Sequence, residues 1–124
     1  LGVLGDCYKM QVYALANYIN RDQEIIPQNI IDKAPSAELR PDQKDSDSLP
    51  DYTVLDQVLY QYIEKSADPA DIKALGFDGA LVDRTLKMVN TNEYKRNQFC
   101  PIIRISPKAF GVGRRMPIVG KYLN

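Results

Sequence analysis

The sequence predicts a mainly α-helical protein with four or five helices. Two observations support this fold class: apolar residues recur three and four positions apart in several segments, and no segment has the pattern of a confident central strand. We find no internal repeat of the kind that marks solenoid proteins. The 124 residues favour one domain, and a hydrophobic content of 44% is sufficient for a packed core.

The first two predicted helices precede residue 35. Asp6 is a suitable N-cap for the first helix, which should run to about Asn20. Pro27 suits the first position of a short second helix, where its missing N–H costs nothing, and this helix should end before Pro35. The first helix carries an apolar stripe formed by Tyr8, Val12, Leu15, Ala16 and Ile19.

A long polar loop is predicted from residue 34 to residue 50. Prolines interrupt it, and most of its other residues are charged or carry a hydroxyl group. Loops of this length are uncommon inside a compact domain, and they are usually functional lids or disordered segments. Lys33 directly before the loop, and Ser36, Arg40 and Lys44 within it, could bind phosphate or ribose. Residue chemistry alone leaves open whether it closes over a ligand or is a solvated charged loop.

Three helical segments are predicted after this loop. The first covers about residues 51–65, with an apolar face that includes Leu55 and Val58. The second is short: Asp68 caps it, Pro69 occupies its first turn and Gly76 ends it. Its inward residues should be Ile72 and Leu75. The third is marked by Leu81, Val82, Leu86 and Val89 and can continue, with a bend, through residue 96.

The end of the chain is predicted to be irregular from residue 101 to residue 124. Pro101 interrupts the helical pattern, and residues 102–105 alternate weakly, so they are extended at most. The glycines at 111 and 113, followed by two arginines, resemble a phosphate loop superficially. They do not follow a convincing strand, and a structural or subunit-packing tail is the better interpretation.

Charge and composition exclude several classes of function. Sixteen basic residues balance sixteen acidic ones, so there is no bulk electrostatic reason to expect nucleic acid or an anionic membrane as a partner. No apolar run approaches the roughly 20 residues that span a bilayer, and a signal-peptide pattern is missing. We therefore expect a cytoplasmic protein. Its first residues, from Leu1 to Gly5, look like the middle of a longer sequence.

The sequence contains no histidine, which excludes Ser-His and Cys-His catalysis and histidine-based zinc sites within this chain. Cys7 and Cys100 do not have the spacing of a metal site or a disulfide framework, and we expect reduced thiols. The aspartates between residues 42 and 51 lack the pattern of a calcium loop, so no metal is assigned.

Two short segments could contact a nucleotide. Lys9 stands just before the apolar stripe of the first helix and could point to a ligand, although a lone lysine on a helix is usually solvated. Tyr94 lies beside Lys95 and Arg96, a combination that can stack on a base and contact a phosphate. The alternative is an ordinary polar helix end in which the two cations favour the helix dipole.

At these residues the sequence resembles the NAD synthetase family, particularly its long, glutamine-dependent form. The resemblance covers nearly the whole chain. Its most specific segments are residues 5–13 (GDCYKMQVY), 33–43 (KAPSAELRPDQ), 92–96 (NEYKR) and 104–115 (RISPKAFGVGRR).

The resemblance implies a doubly wound α/β fold of the adenine nucleotide alpha-hydrolase type, with ligands at the carboxyl ends of parallel strands. Residues 1–124 would be the C-terminal part of such a synthetase domain and would supply mostly its later helices. Members of the family associate as dimers, so a homo-oligomer is expected. The family's Ser-Gly-Gly pyrophosphate loop and its magnesium ligand would precede this chain.

The activity implied by the resemblance is NAD biosynthesis. ATP activates the carboxylate of deamido-NAD as an adenylate, and ammonia then displaces AMP. In the long form a nitrilase-like domain makes the ammonia from glutamine, and neither Cys7 nor Cys100 matches its nucleophile. The cofactors expected for the intact enzyme are ATP, as co-substrate, and Mg²⁺. We expect the 124-residue chain to be inactive alone.

The resemblance also implies roles for individual residues. Lys9 and Ser36 match residues that contact ATP, with Ser36 in a lid formed by residues 34–50. Tyr94 and Lys95 match a pair that holds deamido-NAD, although shorter members of the family have histidine at the position of Tyr94. No catalytic residue and no metal ligand is assigned. The alternative function is a stand-alone helical nucleotide-binding or regulatory module without catalysis.

Overall fold

Six helices are present in the computed structural model, which describes residues 1–35, 49–108 and 116–117. The mainly helical character of the described part agrees with the prediction, although the number of helices is larger than expected. The helices are α1 (Lys9–Ile19), α2 (Gln28–Asp32), α3 (Tyr52–Ile63), α4 (Pro69–Ala74), α5 (Gly79–Thr91) and α6 (Glu93–Asn97). None of these described helices is both long enough and apolar enough to cross a membrane.

The hydrophobic core lies between α3, α4 and α5. Each of these helices contributes residues that are almost fully buried, and Tyr62, Ala67, Phe77 and Leu81 pack against them. The core residues are Val58, Ile72, Val82 and Leu86. α1 lies against α3 but contains no buried residue, so it is an outer helix attached to this core.

Aspartates begin the three core helices. The Asp68 carboxylate accepts from the backbone N–H groups of Ala70 and Asp71, at 2.7 and 3.0 Å, directly before Pro69. Asp51 and Asp78 cap α3 and α5 in the same way. Bonds to Thr53 also hold the pKa of the Asp51 carboxyl below its ordinary value. These local bonds satisfy N–H groups that a helix start otherwise leaves unpaired.

The predicted role of Asp6 as an N-cap is wrong. α1 begins only at Lys9, and the N-cap position is Tyr8, whose N–H donates to the Gln11 side chain at 2.9 Å. Asp6 is buried and accepts from the N–H groups of Ile105 and Ser106, at 2.8 and 2.7 Å. The carboxylate therefore joins the turn before α1 to the segment after α6.

Two predictions about the later helices can be compared with the structure. Ile72 faces inward as expected, but Leu75 is 60% exposed because α4 has already ended at Ala74. The chain then turns through Gly76, whose φ of +96° lies in the left-handed region that glycine adopts without strain. The last predicted helix is divided at Asn92 into α5 and α6.

Smaller differences concern the first two helices and the ends of the described ranges. Leu15 and Ile19 of the predicted stripe are each 44% exposed, and Pro27 is the N-cap of α2 rather than its first helical residue. Ile102 makes an isolated parallel bridge to Gly2, which agrees with an extended segment there. Most of the predicted loop at 34–50 and most of the tail after residue 108 lie outside the described residues.

Candidate functional site

Lys9 is the first residue of α1, and its ammonium group lies close to two aromatic rings. The Lys9 Nζ atom is 5.4 Å from the centre of the Tyr13 ring and 5.8 Å from that of Tyr52. Tyr13 lies one turn further along α1, whereas Tyr52 is the first residue of α3. Both distances are within the range of cation–π attraction. The side chain is therefore directed toward the junction of α1 and α3.

A cavity of about 280 Å³ opens at this junction. It lies between the turn that precedes α1 and one face of α3. Its walls combine a cation, two tyrosines, carboxylates and apolar groups, and they are formed by Gly5, Asp6, Cys7, Tyr8, Lys9, Tyr52, Leu55, Asp56, Leu59 and Glu64. The volume is near the lower end of the range for small-molecule sites.

The three carboxylates of this cavity all accept bonds from backbone N–H groups. Asp56 accepts from Met10 at 2.7 Å, and Glu64 accepts from Lys108 at 3.2 Å. Asp6 makes the bonds to the segment after α6 that were described above. Lys9 forms no salt bridge with any carboxylate in the described ranges. Its positive charge therefore remains available for an anionic ligand.

The same arrangement argues against a metal site in the cavity. No group of three potential metal-ligating side chains occurs among residues 1–35, 49–108 and 116–117. The acidic residues around Lys9 instead bond to the start of α1 and to the segment at residues 105–108.

Tyr8 lines this cavity and also a second one of about 440 Å³, as Asp56 does. Its hydroxyl group is buried and has no hydrogen-bond partner among the described residues. Burial first, and then the carboxylates around the cavity, raise the pKa of the Tyr8 hydroxyl above its ordinary value. Tyr8 therefore remains a neutral phenol at physiological pH. Its ring also meets the edge of Tyr60, with the centroids 6.5 Å apart.

The predicted dinucleotide residues lie on α6. Glu93 is buried and pairs with Arg96, whose Nε atom lies 2.9 Å from a Glu93 carboxylate oxygen. This charge-assisted bond holds the inner face of the short helix. Tyr94 is 45% exposed, and Lys95 is exposed as well, so both are accessible to a ligand.

Neither of the two cavities described above brings the predicted site residues together. Lys9 lines the smaller of the two cavities, and neither cavity is lined by Tyr94 or Lys95. The predicted ATP residue Ser36 lies outside the described residues. Sequence reasoning missed Tyr52 and Asp56, because nothing local indicates that α3 packs beside Lys9.

Comparison with known proteins supports a relationship over most of the chain. Residues 1–99 match the family model of NAD synthase. The chain is 51% identical over 119 residues to the glutamine-dependent NAD(+) synthetase of Acinetobacter baylyi and 46% identical over 122 residues to that of Thermotoga maritima. These alignments cover 94% and 97% of this chain. They cover 22% and 21% of the relatives, so the chain spans about a fifth of their length.

A solved structure is similar as well. It is the glutamine-dependent NAD+ synthetase from Acinetobacter baumannii in complex with adenosine diphosphate. The superposition has a TM-score of 0.59 at 39% sequence identity, and it covers 96% of this chain and 20% of that chain. That structure shows a nucleotide bound to a relative.

Proposed function

Because the chain belongs to the NAD synthase family, we propose that it forms part of the ATP and deamido-NAD site of a glutamine-dependent NAD synthetase. The observation that carries the proposal is the position of Lys9 in the cavity at the α1–α3 junction, where its charge has no described carboxylate partner. The ADP bound to the Acinetobacter baumannii relative supports a nucleotide as ligand.

The proposed reaction is the amidation of deamido-NAD to NAD. The carboxylate of deamido-NAD attacks the α-phosphorus of ATP, which forms an adenylate and releases pyrophosphate. Ammonia, derived from glutamine, then attacks the activated carbonyl and displaces AMP. Negative charge builds on the phosphoryl oxygens in the first step, and a fixed ammonium group stabilises that charge. We assign this role to Lys9.

Other parts of the synthetase must supply what this chain lacks. Mg²⁺ would neutralise the phosphates of ATP, but the described residues contain no cluster suited to hold it. The carboxylates near Lys9 already accept backbone N–H groups. We therefore propose that the metal ligands lie outside this chain. On the family resemblance alone, we also propose that the pyrophosphate loop and the glutaminase domain lie outside it and that the synthetase is a homo-oligomer.

The remaining assignments concern α6 and the loop before α3. Tyr94 and Lys95 are exposed on α6, and we propose that they contact deamido-NAD. The ring can stack on a base or on nicotinate, while the ammonium group can bind a phosphate. The assignments of Ser36 to ATP, and of residues 34–50 to a lid, rest on the family resemblance alone.

We expect NAD formation only when this chain is combined with the rest of a synthetase. The test uses a chimeric synthetase, in which this chain replaces the matching segment of the Acinetobacter baylyi relative. Deamido-NAD, ATP, magnesium and ammonium are supplied, and NAD is measured for the chimeric synthetase and for the 124-residue chain alone. NAD from the chain alone would contradict the proposed incomplete site. A folded but inactive chimera would favour the binding module without catalysis.

Replacing Lys95 by alanine in the chimeric synthetase is expected to affect deamido-NAD more than ATP. Loss of one charge-assisted contact should raise the KM for deamido-NAD roughly tenfold or more. The KM for ATP should change less than about twofold, because Lys9 lies on another element. Steady-state kinetics with each substrate varied in turn provides the measurement.

The matched control for this prediction is Lys87→Ala. Lys87 is an exposed lysine on the neighbouring helix α5, outside the proposed site. Its replacement should leave both KM values near those of the parent. Unchanged constants for Lys95→Ala, or equal effects on the two substrates, would remove Lys95 from the dinucleotide site.

A further inference from the structure

We propose that Tyr52 and Asp56, one turn apart on α3, are positioning residues that place the Lys9 ammonium group in the nucleotide cavity. The inference rests on the function proposed for Lys9 and assigns to α3 the task of orienting it. Tyr52 contacts the end of the Lys9 side chain, whereas Asp56 contacts the backbone from which that side chain projects.

The contact with Tyr52 fixes the charged end of Lys9. The Nζ atom lies 5.8 Å from the Tyr52 ring centre and 5.4 Å from the Tyr13 ring centre. A carboxylate at the same place would neutralise the ammonium group and compete with a phosphate. An aromatic ring attracts the cation through its quadrupole and leaves the net charge unchanged. Two rings therefore restrict the long side chain while preserving its attraction for an anion.

The contact with Asp56 fixes the start of α1. The Asp56 carboxylate accepts from the Met10 N–H at 2.7 Å, across 46 positions of sequence. Met10 follows Lys9 directly, so this bond determines where the backbone of Lys9 lies. A carboxylate at a helix N-terminus is also favoured by the helix dipole. Since α1 has no buried residue, this bond is an important attachment of the helix to α3.

Helix α3 is suited to this task because another of its faces is anchored in the protein interior. Val58 is fully buried in the core between α3, α4 and α5. Tyr52 and Asp56 are separated by one helical turn and therefore lie on the same side of α3. Both line the cavity with Lys9. Helix α3, which is held by the core, thus contacts the side chain of Lys9 through Tyr52 and the backbone beside Lys9 through Asp56.

The position of Lys9 can be measured directly on the 124-residue chain by NMR spectroscopy with labelled lysine. Protons above an aromatic ring shift upfield, so the Lys9 ε-protons should show such a shift. Tyr52→Leu should reduce it, and Tyr52→Phe should retain it. Tyr60→Leu is the matched control, because the Tyr60 ring lies 5.6 Å from Lys65 Nζ. An unchanged Lys9 signal in Tyr52→Leu would overturn the inference.

The functional consequence can be measured in the chimeric synthetase. Tyr52→Leu and Asp56→Ala should each raise the KM for ATP about threefold to tenfold, with little change for deamido-NAD. Tyr52→Phe should have a KM for ATP close to that of the parent, since the ring is retained. In a Lys9→Ala background Tyr52→Leu should add no further loss, because a positioning residue acts through Lys9.

The outcomes separate this inference from the proposed function. If Lys9→Ala leaves ATP use unchanged, the role of Lys9 itself is wrong. If Lys9→Ala impairs ATP use but Tyr52→Leu equals the parent, the positioning role alone is wrong. Additive losses in the variant that combines Lys9→Ala with Tyr52→Leu would also overturn the positioning role. If Asp56→Ala does not fold, the KM values for ATP of Tyr52→Leu and Tyr52→Phe still test the positioning role.

Discussion

Replacing Lys9 by alanine in the chimeric synthetase is expected to lower kcat/KM for ATP about a hundredfold, the size typical for a group that stabilises transition-state charge. The ammonium group lies in the cavity at the α1–α3 junction and forms no salt bridge with a described carboxylate. Among the described residues that line this cavity Lys9 is the only cation, so none of them replaces its charge. Steady-state rates of NAD formation, with ATP varied at saturating deamido-NAD, measure the effect.

Two variants sharpen this prediction. Lys9→Arg keeps the charge on a larger, planar group and should recover only part of the activity, because its geometry differs from that of an ammonium group. Lys65→Ala removes another lysine that lies over a tyrosine ring, 5.6 Å from the centre of Tyr60, outside the cavity of Lys9. Its kcat/KM should match that of the parent. A decrease of less than about threefold for Lys9→Ala would contradict the assignment.

Ile72→Ala is expected to destabilise the 124-residue chain by about 3 kcal/mol. Ile72 is fully buried on α4, among Val58, Val82 and Leu86. Truncation removes apolar contacts and leaves a void that close-packed neighbours fill only in part. Urea unfolding followed by circular dichroism gives the free energy of unfolding.

Leu75→Ala provides the matched control, three residues further along the chain. Leu75 is 60% exposed at the end of α4, so its truncation should change the free energy of unfolding by less than about 0.5 kcal/mol. The slope of the free energy against urea concentration should stay constant in both variants. Equal destabilisation by the two substitutions would mean that α4 packs differently from the arrangement described.

Local signals predicted the beginnings of α3 and α4 correctly. Asp51 and Asp68 accept bonds from N–H groups two or three residues ahead, and Pro69 directly follows the second cap. Such contacts depend on neighbouring residues, and a sequence displays them directly. Asp6 has the same local appearance, but its partners Ile105 and Ser106 are 99 and 100 positions away. Asp6 therefore makes these long-range hydrogen bonds and does not cap α1.

The end of α4 shows a second limit. Leu75 follows Ile72 at helical spacing, and periodicity alone places both on one face. The helix ends at Ala74, so the chain direction changes before Leu75 can face the core. Gly76 was correctly predicted to follow the end of this helix, but a periodic pattern does not show which residue is the last to face the core.

The candidate site was predicted unevenly. Lys9, Tyr94 and Lys95 were proposed because their segments resemble a family, and residue chemistry alone favoured solvated side chains. Tyr52 could not be found in this way, because an aromatic residue at the start of a helix has many possible partners. Its contact with Lys9 depends on how α1 lies against α3, which involves residues 43 positions apart in the printed sequence.

The bonds of Asp6 to Ile105 and Ser106 determine the order in which the protein can assemble. The core joins α3, α4 and α5, which follow one another along the chain, so its contacts close short loops and can form early. The bonds of Asp6 close segments of 99 and 100 positions. During translation they must wait until residue 106 has left the ribosome. The turn that leads into Lys9 therefore acquires its final conformation late, after the core helices have been synthesised.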